Sequence, residues 1–120
     1  MIKSKEELIQ LENEFKDCQK LLIALGDETR QHILISFLEF DCMGARVGEI
    51  TKKTNLSRPA VSHHIRILKE AGIIGMRREG TKNYYYLDSQ KTEWDKLNQM
   101  MLHVNKIIEE APDRGGEKDE

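Results

Sequence analysis

Two adjacent histidines, His63 and His64, sit inside the apolar-periodic run "NLSRPAVSHHIRILKEAGII" of residues 55–74. Imidazole can ligate a metal, move a proton, or hydrogen-bond a base edge or a phosphate. Neighbouring helical residues point about 100° apart, whereas side chains that share one ion stand at i, i+3 or i, i+4. The pair is therefore not expected to chelate, and no metal site is assigned. No nucleophile with a partner base, no phosphate-cradling loop and no paired carboxylates accompany them, so no catalytic residue is assigned and no enzyme is expected. The remaining reactive groups are Cys18 and Cys42. Two thiols are too few for a disulfide scaffold, which points to a reducing compartment. Cys18 lies on an apolar helical seam and reads as a small core hydrophobe. Cys42 follows Asp41 in a loop. A redox or thiophilic-metal switch between the two is an alternative reading, within one protomer or across two.

The elements that position these groups are mostly helical. Leu8, Leu11, Phe15, Cys18, Leu22 and Leu25 recur in steps of three and four, so one helix is expected over 4–25, ended by a left-handed Gly26. Asp27 caps a second helix with Ile33, Leu34, Phe37 and Leu38 as its stripe. After "DCMGA", Arg46-Val47 reads as a very short strand, "GEITKKTN" as a short helix, and Asn55 as its cap. Ser57 caps the next helix, with Pro59 in its first turn, where a missing N–H costs nothing. That helix faces inward through Val61, Ile65 and Leu68, with Ile67 flanking, and stops at Gly72. "IIGMRREGTKNYYYLD" reads as a hairpin with a glycine turn, and at least one of Tyr84, Tyr85 and Tyr86 packs inward. A last helix carries Trp94, Leu97, Met101, Val104 and Ile108.

Two helices joined by a tight turn, the second well capped and followed by a basic hairpin, describe a winged helix-turn-helix. The fold class is mainly α with a small β-hairpin. Its second helix enters the major groove of DNA by its N-terminal end, so the outward positions there are the candidate contacts: Ser57, Arg58, Ser62, His63, His64 and Arg66. Arg77, Arg78, Lys82 and Asn83 cluster at the hairpin tip, where they meet phosphates or a minor groove.

The charge distribution agrees. The 120 residues carry a formal net charge of −2, yet residues 46–86 hold nine basic and three acidic side chains, leaving ten basic and eighteen acidic for the two ends. A basic middle between acidic flanks fits a local polyanion-binding surface. The longest apolar runs fall far short of the about 20 residues that a spanning helix needs. The charged N-terminus lacks the pattern of a secretory signal, so a cytoplasmic protein without membrane contact is expected. The organisation is one domain over 1–110, with the helix-turn-helix at about 48–71, the wing at about 73–87 and flanking helices at about 4–25 and 91–110. A disordered tail is expected over 111–120.

"LGDETRQHILISFLE", "VGEITKKTNLSRPAVSHHIRILKEAGII" and "REGTKNYYYLD" together resemble the ArsR family of bacterial winged-helix repressors over roughly residues 20–88. The resemblance implies a homodimer that binds an inverted-repeat operator and is released by a signal, with His63 at the DNA-facing position of the reading helix. It also implies dimerisation through the N- and C-terminal helices. Two apolar stripes exceed what one domain of this size buries alone, which suggests a partner surface at Leu8, Leu11, Phe15, Cys18, Leu22, Trp94, Leu97, Met101, Val104 and Ile108. The sequence departs from the family's familiar metal sites. Arg46-Val47-Gly48 stands where the thiolate type has Cys-x-Cys, and Asp88 and His103 are left without a full ligand quartet. No cofactor is implied, the effector is unidentified, and an interface pocket lined by Phe15, Met100 and Met101 is one candidate for it. A winged-helix protein–protein adaptor is the alternative from another class, disfavoured by Arg58, Arg77, Arg78 and Lys82 together.

Overall fold

The structure, a computed structural model, describes residues 4–40, 44–88 and 90–111. Among these the chain forms α1 (Lys5–Asp17), α2 (Gln19–Leu25), α3 (Glu28–Phe37), α4 (Val47–Thr54), α5 (Arg58–Glu70), a hairpin of β1 (Ile74–Glu79) and β2 (Lys82–Leu87), and α6 (Thr92–Glu110). The expected mainly helical class with one hairpin is what the chain adopts. No helix among the described residues is long and apolar enough to cross a membrane. Cys42 and the tail beyond Ala111 lie outside the described residues.

The first helix is broken where the seam predicts continuity. The Cys18 N–H is shared between the Glu14 and Phe15 carbonyls, at 3.1 and 3.2 Å, and its backbone sits at φ −96°, ψ 3°. This tight turn rotates the face that meets the core. Beyond it Leu21 and Ala24 are buried, and Leu22, which continues the expected seam, is exposed. Gly26 is not left-handed either: φ is −83°. What ends α2 is the next residue, Asp27, extended at φ −123°, ψ 127°, whose carboxylate accepts from the Arg30 N–H at 2.9 Å.

The helix-turn-helix follows its sequence signals closely. Asn55 caps α4 in the left-handed region at φ 60°. Ser57 Oγ accepts from the Ala60 N–H at 3.2 Å and opens α5. Val61, Ile65 and Leu68 of α5 are buried against Leu21, Ala24, Ile33, Phe37 and Ile50 from α2, α3 and α4, with Ile73 and Ile74 closing the cluster. Glycine at position 72, with φ 82°, ends α5 and turns the chain into β1.

The expected Arg46-Val47 strand is displaced. Arg46 instead opens α4, its N–H donating to Glu49 Oε1 at 2.8 Å, and Ala45 pairs with the wing. Ala45 N–H donates to Tyr85 O at 2.7 Å and Tyr85 N–H donates to Ala45 O at 2.8 Å. The β1–β2 ladder runs from Ile74↔Leu87 to Glu79↔Lys82, turning at Gly80 and Thr81. Tyr85 packs against the core, while Tyr86 lies over Gly75 and Tyr84 lies beneath Arg77. The alternation of a strand thus sends one tyrosine inward and two outward.

The outer helices are nearly without buried residues. Helix α1 has none and α6 only Met100, where the seam predicted Met101. Trp94 and Leu97 pack against the core, so α6 turns the Trp94–Leu97–Met100 face inward and leaves Met101, Leu102 and Ile108 in solvent.

The wing's anchor generates a test. Gly44 sits at φ 97°, and a Cβ there would stand 2.7 Å from Tyr85 O, while Gly80 at φ 63° has open space around it. Both alanine variants carry left-handed strain of about 1 kcal/mol, but only Gly44→Ala also pushes a methyl into the wing's backbone. Thermal unfolding is expected to show a clearly larger drop in midpoint for Gly44→Ala than for Gly80→Ala; equal drops would show that Tyr85 does not depend on this close approach.

Candidate nucleic-acid interface

The inward burial of Val61, Ile65 and Leu68 fixes what α5 presents outward. Ser62, His63, Arg66 and Lys69 are exposed along it. At its start Ser57 and Arg58 are exposed, and the Arg58 guanidinium reaches back beside Gly48 at the N-terminal end of α4. The expected contacts Ser57, Arg58, Ser62, His63 and Arg66 therefore share one solvent-facing side of the helix-turn-helix. Ser57 Oγ is engaged as the cap acceptor, which leaves its hydroxyl proton and one lone pair.

His64 is placed differently. Expected among the DNA-facing residues, it is half-buried and turned onto α3. Its Nδ1 lies 3.3 Å from Arg30 Nη1. Burial lowers its pKa below that of an ordinary imidazole; the Asp27 carboxylate pulls the other way, and Arg30 and His63 add to the lowering. The two histidine rings meet edge to face, centroids 5.1 Å apart. The roughly 100° step per helical residue separates them: one faces solvent, the other the body of the domain.

Arg30 is the residue that the sequence reading missed. It is buried, at 9 % exposure. Its Nε donates to Ala24 O at 2.8 Å and its Nη2 to Ile23 O at 3.0 Å, while Nη1 is 3.9 Å from Asp27 Oδ2. A signal was present. Arg30 stands at i−3 from Ile33 and i−7 from Phe37, on the buried stripe of α3, and an arginine there must find acceptors.

The wing carries the rest of the candidate surface. Arg77 stacks over the Tyr84 ring at 5.0 Å and pairs with Glu79. Arg78 Nε donates to Gly80 O at 3.1 Å, which orients its guanidinium at the tip. Lys82 is exposed beside it. Asn83 is half-buried, and its Oδ1 is buried with no hydrogen-bond partner among the described residues.

Cys42 lies outside the described residues, and the other residues considered for sensing do not assemble among those described. Cys18 is 1 % exposed, and burial first, then nearby Asp17, raises its thiol pKa. That favours the inert thiol over the reactive thiolate. The same burial removes Cys18 from the partner-facing seam. His103 pairs with Glu14 of α1 at 2.8 Å. Among the described residues no three His, Cys, Asp or Glu side chains converge as a metal site. Of the residues considered for an interface pocket, Met100 is core while Phe15 and Met101 are exposed.

Comparison with known proteins places this geometry. Residues 27–75 match the family model described as bacterial regulatory protein, arsR family. The chain is 39% identical over 83 residues to the transcriptional repressor SdpR of Bacillus subtilis, an alignment covering 69% of this chain and 88% of that protein. Its fold is similar to that of an ArsR family transcriptional regulator, RHA00566, with a TM-score of 0.66 at 20% identity over 93% of this chain and 100% of the other. It is similar also to Mb0332 from Mycobacterium bovis, a homodimeric winged helix-turn-helix DNA-binding domain, with a TM-score of 0.56 at 19% identity over 95% and 100% of the two chains. With the capped helix-turn-helix and its wing, these matches identify the chain as a member of the ArsR family of bacterial winged helix-turn-helix transcriptional regulators.

Proposed function

We propose that the chain is a homodimeric repressor that reads an inverted-repeat DNA site through α5 and grips flanking backbone with its wing, until a signal releases it. The observation that carries this is the division of α5 into a buried apolar side and a solvent side of Ser62, His63 and Arg66, with Arg77, Arg78 and Lys82 beyond it on the wing. A similar relative, SdpR, is named as a transcriptional repressor. Base edges are met by the α5 side chains, and phosphates by the cations and the helix's N-terminal N–H groups.

Dimerisation is supported by what the chain leaves uncovered. Leu8, Phe15 and Leu22 of α1 and α2, and Met101, Leu102 and Ile108 of α6, are all exposed, Ile108 to 64 %. Apolar exposure of this extent on two helices already in contact through His103 and Glu14 marks an interaction face. A second copy is the fitting occupant, because twofold pairing sets two reading helices about one DNA turn apart. Homodimeric Mb0332, similar in fold, supports the same arrangement. The signal is not read at a Cys-x-Cys site before the helix-turn-helix, since Arg46, Val47 and Gly48 stand there.

Three outcomes are expected. Selection from random-sequence DNA with reduced, metal-free protein enriches an inverted repeat, and Arg77→Ala with Arg78→Ala lowers the slope of log affinity against log salt by about 0.9 for each phosphate that is no longer neutralised. An unchanged slope removes the wing from the interface; no enrichment at low salt favours a protein-binding adaptor. In sedimentation, Leu102→Glu with Ile108→Glu converts dimer to monomer while helical content persists. A variant that remains dimeric places the twofold contact elsewhere.

A further inference from the structure

We propose that His64 is a positioning residue for DNA reading: as a neutral imidazole it accepts a hydrogen bond from Arg30 and so clamps the reading helix α5 to the C-terminal end of α2. The inference rests on α5 being the DNA-facing helix, and assigns His64 a role distinct from that of exposed His63.

The clamp is a chain of three elements. The Arg30 guanidinium, from α3, donates to Ala24 O and Ile23 O at 2.8 and 3.0 Å, which ties it to the last turn of α2. Its Nη1 then meets His64 Nδ1, on α5, at 3.3 Å. Guanidinium is always charged and has no acceptor, so the bond has one direction. Nδ1 supplies the lone pair, and the imidazole proton sits on Nε2. The reading helix is thereby joined to α2, the segment that continues the outer helix α1 into the core.

This arrangement is sensitive to a proton. Protonation at Nδ1 removes the only acceptor on the imidazole and sets a second cation 3.3 Å from the first. The charged groups that face His64 are Asp27 and Arg30 at the start of α3 and His63 on its own helix; α2 contributes carbonyls to Arg30. Asp27 favours the proton, but burial, Arg30 and His63 oppose it and prevail, so the folded chain holds His64 below the ordinary imidazole value. The stabilisation is therefore present above the unfolded pKa of about 6.5 and is lost as pH falls below it through the folded value. Loss of the clamp lets α5 shift against α2, and His63, edge-on to His64, shifts with it. DNA affinity is then expected to fall on mild acidification, although added positive charge by itself strengthens phosphate binding.

The test uses the full-length dimer in a His63→Gln background, which leaves His64 as the one imidazole on α5, and a labelled duplex that this protein itself enriches from random-sequence DNA. Between pH 7.5 and 5.5 this protein is expected to lose DNA affinity progressively as the pH falls. Adding His64→Gln, whose amide oxygen still accepts from Arg30, is expected to preserve affinity at pH 7.5 and abolish the pH dependence. His64→Leu is expected to weaken binding at both pH values while still unfolding cooperatively. An acid loss that persists in the His63→Gln/His64→Gln protein overturns the proposal, as does a His64→Leu protein that binds as tightly as its parent. Thermal midpoints over the same pH range separate the two layers. Failure to enrich any duplex overturns the DNA reading and the positioning role with it, whereas a proton-linked midpoint unaffected by His64→Gln overturns the clamp alone.

Discussion

A buried guanidinium needs donors matched to acceptors on every side, and Arg30 imposes that requirement on this fold. Its side chain enters the junction of α2, α3 and α5, where the interior is otherwise aliphatic. The end of α2 supplies two carbonyls, that of Ala24 and that of Ile23, the latter shared with the Gly26 N–H. Asp27 caps α3 with its carboxylate and stands beside the same guanidinium, and hydrogen bonding to the Arg30 N–H holds its pKa below the usual carboxylate range. His64 supplies the remaining contact from α5. One charged group thus ties together the end of α2, the start of α3 and the body-facing side of α5.

The wing is held by a different means. Its two strands are joined to the body by the pair of hydrogen bonds between Ala45 and Tyr85 and by the packing of Ile74, Tyr85 and Leu87 on the core. A two-stranded hairpin alone is marginal in water. The bridge and the inward tyrosine let it stand as a rigid arm, with its cations at the far end. Arg77 lies over Tyr84 and is neutralised by Glu79, whereas Arg78 donates to the Gly80 carbonyl and pairs with no carboxylate among the described residues. The two adjacent arginines are therefore not equivalent: binding a phosphate requires Arg77, but not Arg78, to exchange a carboxylate.

The outer helices show how far the single chain is from satisfying its own sequence. Helix α1 has no fully buried residue and α6 has one, with Trp94 and Leu97 partly buried against the core. Their contact with one another, reinforced by Glu14 and His103, makes a two-helix face whose apolar side is open. Helix α5 belongs to the well-packed part, and the uncovered apolar face to the outer helices.

Sequence alone determined the elements whose signals are local. The Ser57 cap, Pro59, the left-handed Asn55, the Val61–Ile65–Leu68 stripe and the hairpin with Gly80 at its turn depend on neighbours within a few residues, and the structure repeats each. The same signals carry the family motifs, so fold and family were legible together. Tertiary structure alone decided the break at Cys18, the rotation of α6 onto Met100 and the inward turn of His64. Each is a choice between two faces of a helix that are similarly apolar or similarly polar in sequence. Leu21 and Leu22, Met100 and Met101, and His63 and His64 are adjacent pairs of like residues, and periodicity cannot say which member meets the core. That is settled by what lies opposite: the core for Leu21 and Met100, and for His64 the guanidinium of Arg30, thirty-four residues away in the chain.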